Sequence, residues 1–423
     1  MFESRIGRRP RGSLYPAGAR AGRTMTAVLA AAYLAPAAVA APPGVQGSGP
    51  VITSLVRRVA VFGSDERMSL PPAYRGLEHA VGLLYETRSR SVCTAFCVGD
   101  SVIATAAHCV HRTSAEKPPR LSDFTFRIVG TTPRSATAIA GALSGSAAQH
   151  VMSGSMHLSI HPPIDASRDW AFVRLAGPVC KGASLRISRR PAKDLVQLSA
   201  ANRVYQVAFH RDFSNWRLAY GAPCAVRRSF ETADWASISR DFSEAEQLIL
   251  HTCDTGGASS GSPLLIDGPS GPEVVGINVG TYVQSRVLMQ NGEVIRRYKA
   301  DTVANTGVST AAFLAKLEAF ERAEILATRD KLRKLQELLA ERGLYGGPAD
   351  AIYGPAIRAA IEGFERSEGR PETGLATTAL LQRLTVLRAE RGNETAVAKS
   401  PRVETGSVGT HEPASSRAPD PSR

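Results

Sequence analysis

The sequence predicts a mainly β-sheet protein that ends in a small helical unit. Three observations carry that prediction. Between residues 75 and 310, short apolar or alternating runs are broken by Gly, Pro and Asn, as in Ala80–Tyr85, Val102–Ala104, Phe124–Val129, Trp170–Leu175, Val204–Phe209, Leu248–Leu250, Leu264–Ile266 and Val274–Val279. Many short strands divided by turn residues indicate a β-barrel or sandwich. From 328 to 388 the apolar residues instead fall at three- and four-residue steps, the period of a helix face. Ahead of both lies an Arg-rich start and an apolar run ending Ala38-Val39-Ala40, the pattern of an exported precursor.

The chain has 423 residues, 43% of them apolar, which suits two or three domains with real cores. Its formal net charge is +13, much of it from the first 25 residues and from scattered arginines. No dense basic run is present, so a nucleic-acid partner is not inferred. The charge suits weak attraction to anionic envelope polymers.

Taken in order, residues 1–40 read as a signal peptide. Arg5, Arg8, Arg9, Arg11, Arg20 and Arg23 precede the apolar stretch Met25–Ala40, and cleavage is expected after Ala40; translation from Met25 would remove the basic start. The apolar stretch is too short and too interrupted to span a bilayer, and no later segment offers about 18 uninterrupted apolar residues, so the mature chain is expected to have no transmembrane segment and to be periplasmic or secreted. Residues 41–58, rich in Pro, Gly and Ser, read as a flexible leader or propeptide, with Arg57-Arg58 either a processing site or a plain surface pair.

Two stretches carry the chemistry. Cys253-Asp254-Thr255-Gly256-Gly257-Ala258-Ser259-Ser260-Gly261-Ser262-Pro263 crowds small residues around Ser260. A hydroxyl nucleophile needs such a turn to expose its oxygen, and free backbone N–H groups beside it to hold an oxyanion. Thr105-Ala106-Ala107-His108-Cys109 ends an apolar run, which would fix one histidine at a strand end. Asp169 opens the strand Trp170–Leu175, where a carboxylate could accept the second ring proton of that histidine. About 60 residues separate His108 from Asp169, and about 90 separate Asp169 from Ser260.

In this order, Thr-Ala-Ala-His-Cys, Asp-x-Ala-Phe-Val-x-Leu and Ser-Gly-Ser-Pro resemble the chymotrypsin-fold serine peptidases, above all the bacterial glutamyl-endopeptidase-like group. The stretch Gly63-Ser64-Asp65-Glu66-Arg67 belongs to the same resemblance. The resemblance implies a double β-barrel over residues 59–327. It implies Ser260 as nucleophile, His108 as general base and acid, Asp169 as orienting carboxylate, and the N–H groups of Ala258 and Ser260 as the oxyanion hole. No metal or organic cofactor enters that chemistry, and the partner is a protein or peptide substrate. Ala258 stands where relatives carry Gly, and alanine tolerates positive φ poorly, so an altered or rearranged loop is expected there. A one-residue shift would make Ser259 the nucleophile.

Asp254 is open to two readings: an acid that selects a basic residue before the scissile bond, or a structural Asp-Thr turn. Thr255, Asn278 and Gly280 are the other candidate pocket residues, and His in glutamate-cutting relatives stands where this chain has Asn278. Six cysteines allow fifteen pairings. The resemblance implies Cys93–Cys109; Cys224–Cys253 is assigned near the nucleophile loop, which leaves Cys97–Cys180.

Ser309–Ala327 reads as a terminal helix through Phe313, Leu314, Leu317 and Phe320. In residues 328–388, Leu332, Leu335, Leu338 and Leu339 make one helix face, Gly343 stops it, Pro355 opens a second helix with Ile357, Ile361 and Phe364, and Gly374 precedes a third with Leu380, Leu381 and Leu384. Together with Tyr345, Asp350 and Tyr353-Gly354, this resembles the small three-helix peptidoglycan-binding domain, which implies peptidoglycan as a further partner. Residues 389–423 are polar and read as disordered.

Overall fold

The structure is a computed structural model and describes residues 51–57, 60–111, 119–129, 136–290 and 293–399. The expected signal peptide over residues 1–40, residues 41–50 of the expected leader, the Arg58–Val59 bond and residues 400–423 lie outside the described residues.

Two sheets, antiparallel except where Arg186–Ile187 runs parallel to Glu273–Val274, form the body of the chain before residue 310. In the first, of seven strands, the order is Thr137–Ala138, Phe124–Ile128, Val81–Glu86, Val92–Gly99, Val102–Thr105, Ala171–Arg174 and Val151–Ser153. A bridge between Ile139 and Leu175 brings one end of that order back onto the other. In the second, of nine strands, Leu248–His251, Glu293–Ser309, Gly271–Gln290, Pro263–Gly268, Val204–Phe209, Leu218–Gly221 and Met68–Ser69 follow one another, with Val51–Arg57 and Arg186–Ile187 also on Gly271–Gln290. Val226, just past Leu218–Gly221, bridges to His251 and closes this sheet in the same way. Closure leaves few unpaired edges, which suits strands this short.

Alternation along the strands fills both interiors. Phe96, Ile103, Phe126 and Phe172 are fully buried, as are Val207, Phe209, Leu265 and Ile277. Three disulfides join Cys93 to Cys109, Cys97 to Cys180 and Cys224 to Cys253. The helix Leu314–Arg322 leaves the second sheet and covers the first, where Phe313 and Phe320 meet Phe172. Past it, Arg329–Ala340, Pro355–Ser367 and Thr378–Lys399 enclose a separate core of Leu335, Leu339, Ile361, Phe364 and Leu384. Gly343 (φ +71°) ends the first of these helices, and Pro355 sits in the first turn of the second.

The structure departs from the sequence reading at four places. The expected terminal helix stops at Arg322; residues beyond it are extended, because Leu326 is buried in the helical core instead. The last helix runs to Lys399, so residues 389–399 are helical rather than disordered; extending a nucleated helix costs little. Residues 51–57 are a strand paired with Thr281–Val287, not a flexible leader. The expected strand Val274–Val279 is part of a hairpin of Gly271–Gln290 with Glu293–Ser309. The sequence signal for that hairpin is Asn291-Gly292 between two strand-like runs.

Candidate active site

Strand register brings the first two site residues together. Thr105 pairs with Ala171 in antiparallel strands, so the chain just after Thr105 runs beside the chain just before Ala171. His108 lies in the short helix Ala107–Val110, and Asp169 ends the turn Ala166–Arg168. His108 Nδ1 lies 2.7 Å from Asp169 Oδ2, and the His108 backbone N–H donates to Asp169 Oδ1 at 2.9 Å. Two bonds to one carboxylate hold both the helix and the ring. With Nδ1–H donating to Asp169, Nε2 is left as the basic nitrogen.

Ser260 comes from the loop between Leu248–His251 and Pro263–Gly268 in the other sheet. It lines a cleft of about 350 Å³ together with His108, Ala258, Gly257, the Cys93 and Cys109 pair and Arg211. Among the described residues no carboxylate lines that cleft, and Arg211 has no ion-pair partner. No hydrogen bond joins the Ser260 hydroxyl to the His108 ring; such bonds are often long until substrate binds. Ser259 is fully buried, and its carbonyl accepts from Asn278 Nδ2 at 3.1 Å.

Ala258 takes φ +85°, so the alanine adopts the conformation that the sequence reading expected it to resist. One reason is Thr94, whose Oγ1 donates to the Ala258 carbonyl at 2.8 Å, while the Thr94 N–H donates to the Ser260 carbonyl at 2.9 Å. Neither the Ala258 N–H nor the Ser260 N–H donates to an acceptor among the described residues. Gly261 (φ +83°) has no room for a side chain: a Cβ would lie 2.1 Å from Thr105 Oγ1 and 2.3 Å from the Thr94 carbonyl.

The pocket candidates are engaged elsewhere. Asp254 is buried, and its two oxygens accept the Phe62 and Glu66 N–H groups at 2.9 Å each. Asp254 thus anchors the chain at 62–66 and does not line the cleft. Thr255 N–H donates to the Ala60 carbonyl, and Thr255 Oγ1 accepts the Ala60 N–H at 2.9 Å. Asn278 is buried beneath the loop, with its Oδ1 3.1 Å from His251 Nε2. Gly280 follows a register shift in its strand and does not line this cleft.

Several residues that hold the loop were not foreseen. Arg67 is 4% exposed and bridges Asp65 and Asp212. Its guanidinium holds the Asp65 carboxyl down to about 2. Gly256 N–H donates to His210 Nδ1 at 2.9 Å, and burial pushes the His210 imidazole down to about 4, so it stays a neutral acceptor. A Cβ at Gly256 would lie 2.2 Å from Asp212 Oδ1. The Gly-x-Asp-x-Arg stretch was the only sequence hint of this cluster. Cys93, His108 and Cys109 come close enough for a metal, but the two sulfurs are bonded to each other and offer no thiolate.

Residues 93–277 match the family model described as "Trypsin-like peptidase domain". This part of the chain is similar to trypsin-like peptidase domains. The peptidase domain thus holds His108, Asp169 and Ser260 within the matched span. Residues 328–384 match the model described as "Putative peptidoglycan binding domain". A solved structure described as "Structure of Glu endopeptidase in complex with MPD" has a TM-score of 0.39 and 15% identity, and covers 62% of this chain and 98% of that one. The "Localization factor PodJL" of Caulobacter vibrioides, in two strains, is 38% identical over 60 residues, 14% of this chain. The match spans 6% of the length of those relatives.

Proposed function

We propose that the protein is an exported serine endopeptidase whose C-terminal helical module binds peptidoglycan. The observation that carries this reading is the His108–Asp169 pair, bonded at 2.7 Å, with His108 lining the same cleft as Ser260. In this mechanism His108 Nε2 takes the Ser260 proton as Oγ attacks the scissile carbonyl. The tetrahedral oxyanion is held by the unpaired N–H groups of Ala258 and Ser260. His108 then gives its proton to the leaving amine, and an acyl-ester on Ser260 remains. Water, activated by His108, attacks the ester, releases the acid and restores the hydroxyl. Asp169 keeps the imidazole in one tautomer and stabilises its protonated form.

Export is supported by the three disulfides, which persist in oxidising compartments. No helix among the described residues is long and apolar enough to cross a membrane. The boundaries proposed are a signal peptide over 1–40, a leader to 58, a peptidase over 59–327 and a wall-binding module over 328–388.

A fluorophosphonate probe tests the enzyme. It should label the wild type and leave Ser260→Ala unlabelled. A wild type that resists the probe and cleaves no peptide in a library overturns the peptidase reading and leaves a protein that only docks. Sedimentation with purified peptidoglycan tests the module, and a chain that stays in the supernatant overturns that part.

A further inference from the structure

The helical module touches the peptidase domain where the candidate acid is held. Arg358, on the helix Pro355–Ser367, is only 14% exposed. Its Nη2 donates to the Ser153 carbonyl, its Nη1 donates to Ser153 Oγ at 3.1 Å, and its Nε donates to Glu362 Oε1 at 2.8 Å. All of these are strong, charge-assisted bonds in a partly dry seam.

Ser153 is one step from the Asp169 segment. It pairs with Ala171 across adjacent strands, and the next N–H, of Gly154, donates to the Trp170 carbonyl at 2.9 Å. A Cβ at Gly154 would lie 2.3 Å from the Arg168 carbonyl, so the turn presses directly on the residues flanking Asp169. Arg358 therefore grips, from another module, the backbone that sets where Asp169 meets His108.

The seam is continuous. Behind it the connecting segment is tied to the module: Leu326 N–H donates to the Ala376 carbonyl within the helical core, and Thr378 N–H donates to the Glu324 carbonyl, each at 2.9 Å. Leu375 is buried in the core of the peptidase domain, and Lys316 Nζ donates to the Glu372 carbonyl at 2.9 Å. The module is docked through backbone, apolar and charged contacts together.

We propose that Arg358 is a positioning residue for Asp169, so that the C-terminal module acts on catalysis as well as on location. The inference rests on Asp169 being the orienting carboxylate. A ligand that shifts the Pro355–Ser367 helix would be felt at the His108–Asp169 bond through Ser153.

The test uses full-length protein. Arg358→Ala should lower kcat roughly tenfold or more, the size of loss that a small misplacement of a catalytic group causes, with KM within about twofold. The downfield proton resonance of His108 Nδ1–H should shift or broaden. Arg358→Lys, which keeps the charge and one donor, should recover part of kcat. Should Arg358→Ala fail to fold, Glu362→Gln, which removes only the ion-pair partner of Arg358, carries the same comparison with a smaller loss. An active wild type matched within twofold in kcat by the folded variants, with an unmoved resonance, overturns this proposal alone. A wild type without turnover or probe labelling overturns the peptidase reading beneath it.

Discussion

Thr94 Oγ1 donates to the Ala258 carbonyl at 2.8 Å across 164 residues of sequence. The same hydroxyl accepts the Phe209 N–H at 3.0 Å, and the Thr94 carbonyl accepts from Thr105 Oγ1 at 2.9 Å. One buried side chain in the first sheet thus fixes the loop of Ser260 and a strand of the second sheet. Thr94→Val keeps the volume and removes the hydroxyl. It should destabilise the fold by about 1–3 kcal/mol, because buried partners lose their bonds. Thermal melting measures that loss, and the rate of fluorophosphonate labelling should fall with it.

Asp169→Asn keeps the shape of the side chain but offers a donor where an acceptor is needed. The His108 tautomer then reverses. The peptidase reading expects a fall in kcat of roughly 10⁴-fold, the size seen when this change is made in a serine peptidase triad. A fall of less than tenfold would remove Asp169 from the mechanism.

Ala258 and Gly261 both hold positive φ, at +85° and +83°. Ala258→Gly relieves a strained backbone and should stabilise the protein by about 0.5–1 kcal/mol in urea unfolding. Gly261→Ala should do the opposite and abolish labelling, since its Cβ would meet Thr105 Oγ1 at 2.1 Å.

Asp254→Asn separates the two readings of that residue. The substituted side chain can accept only one of the Phe62 and Glu66 N–H bonds. A loss of about 1–3 kcal/mol in stability is expected, with no change in the ratio of cleavage after basic and neutral residues. A lost preference for Arg or Lys would restore the pocket reading.

His210 and His251 are buried, and burial pushes each imidazole down to about 4. The unfolded chain binds protons at these residues near pH 6.5, before the folded chain does. Stability from the two is therefore full above about pH 6.5. It falls as the pH drops toward 4 and levels off below that. Urea midpoints measured from pH 8 to 3.5 check this, and a midpoint that rises on acidification through this window contradicts it. Protonated His210 could no longer accept the Gly256 N–H, so the Ser260 loop should loosen in the same window.

How much was legible follows from how local each signal is. The strand Val204–Phe209 was read to the residue, and the helix start at Pro355 likewise, because period and turn chemistry sit within a few neighbours. His108, Asp169 and Ser260 are readable as ordered motifs, and Cys93–Cys109 as part of the same resemblance, which leaves the other two pairs to place and elimination. The hairpin past Val279 has its Asn-Gly signal in the sequence, but the polar and charged residues of its two strands hide the apolar alternation.

By itself, the sequence determined the two kinds of segment, strand-rich then helical, and the side chains able to do acyl-transfer chemistry. Tertiary structure decided what those side chains touch. Asp254 became an anchor for Phe62 and Glu66, Thr94 became the support of Ala258, and Arg358 reached Ser153. Periodicity encodes which face of an element is apolar. It carries no record of which distant donor arrives at a given acceptor, since that depends on strand register and on how two closed sheets and a helical core settle against one another.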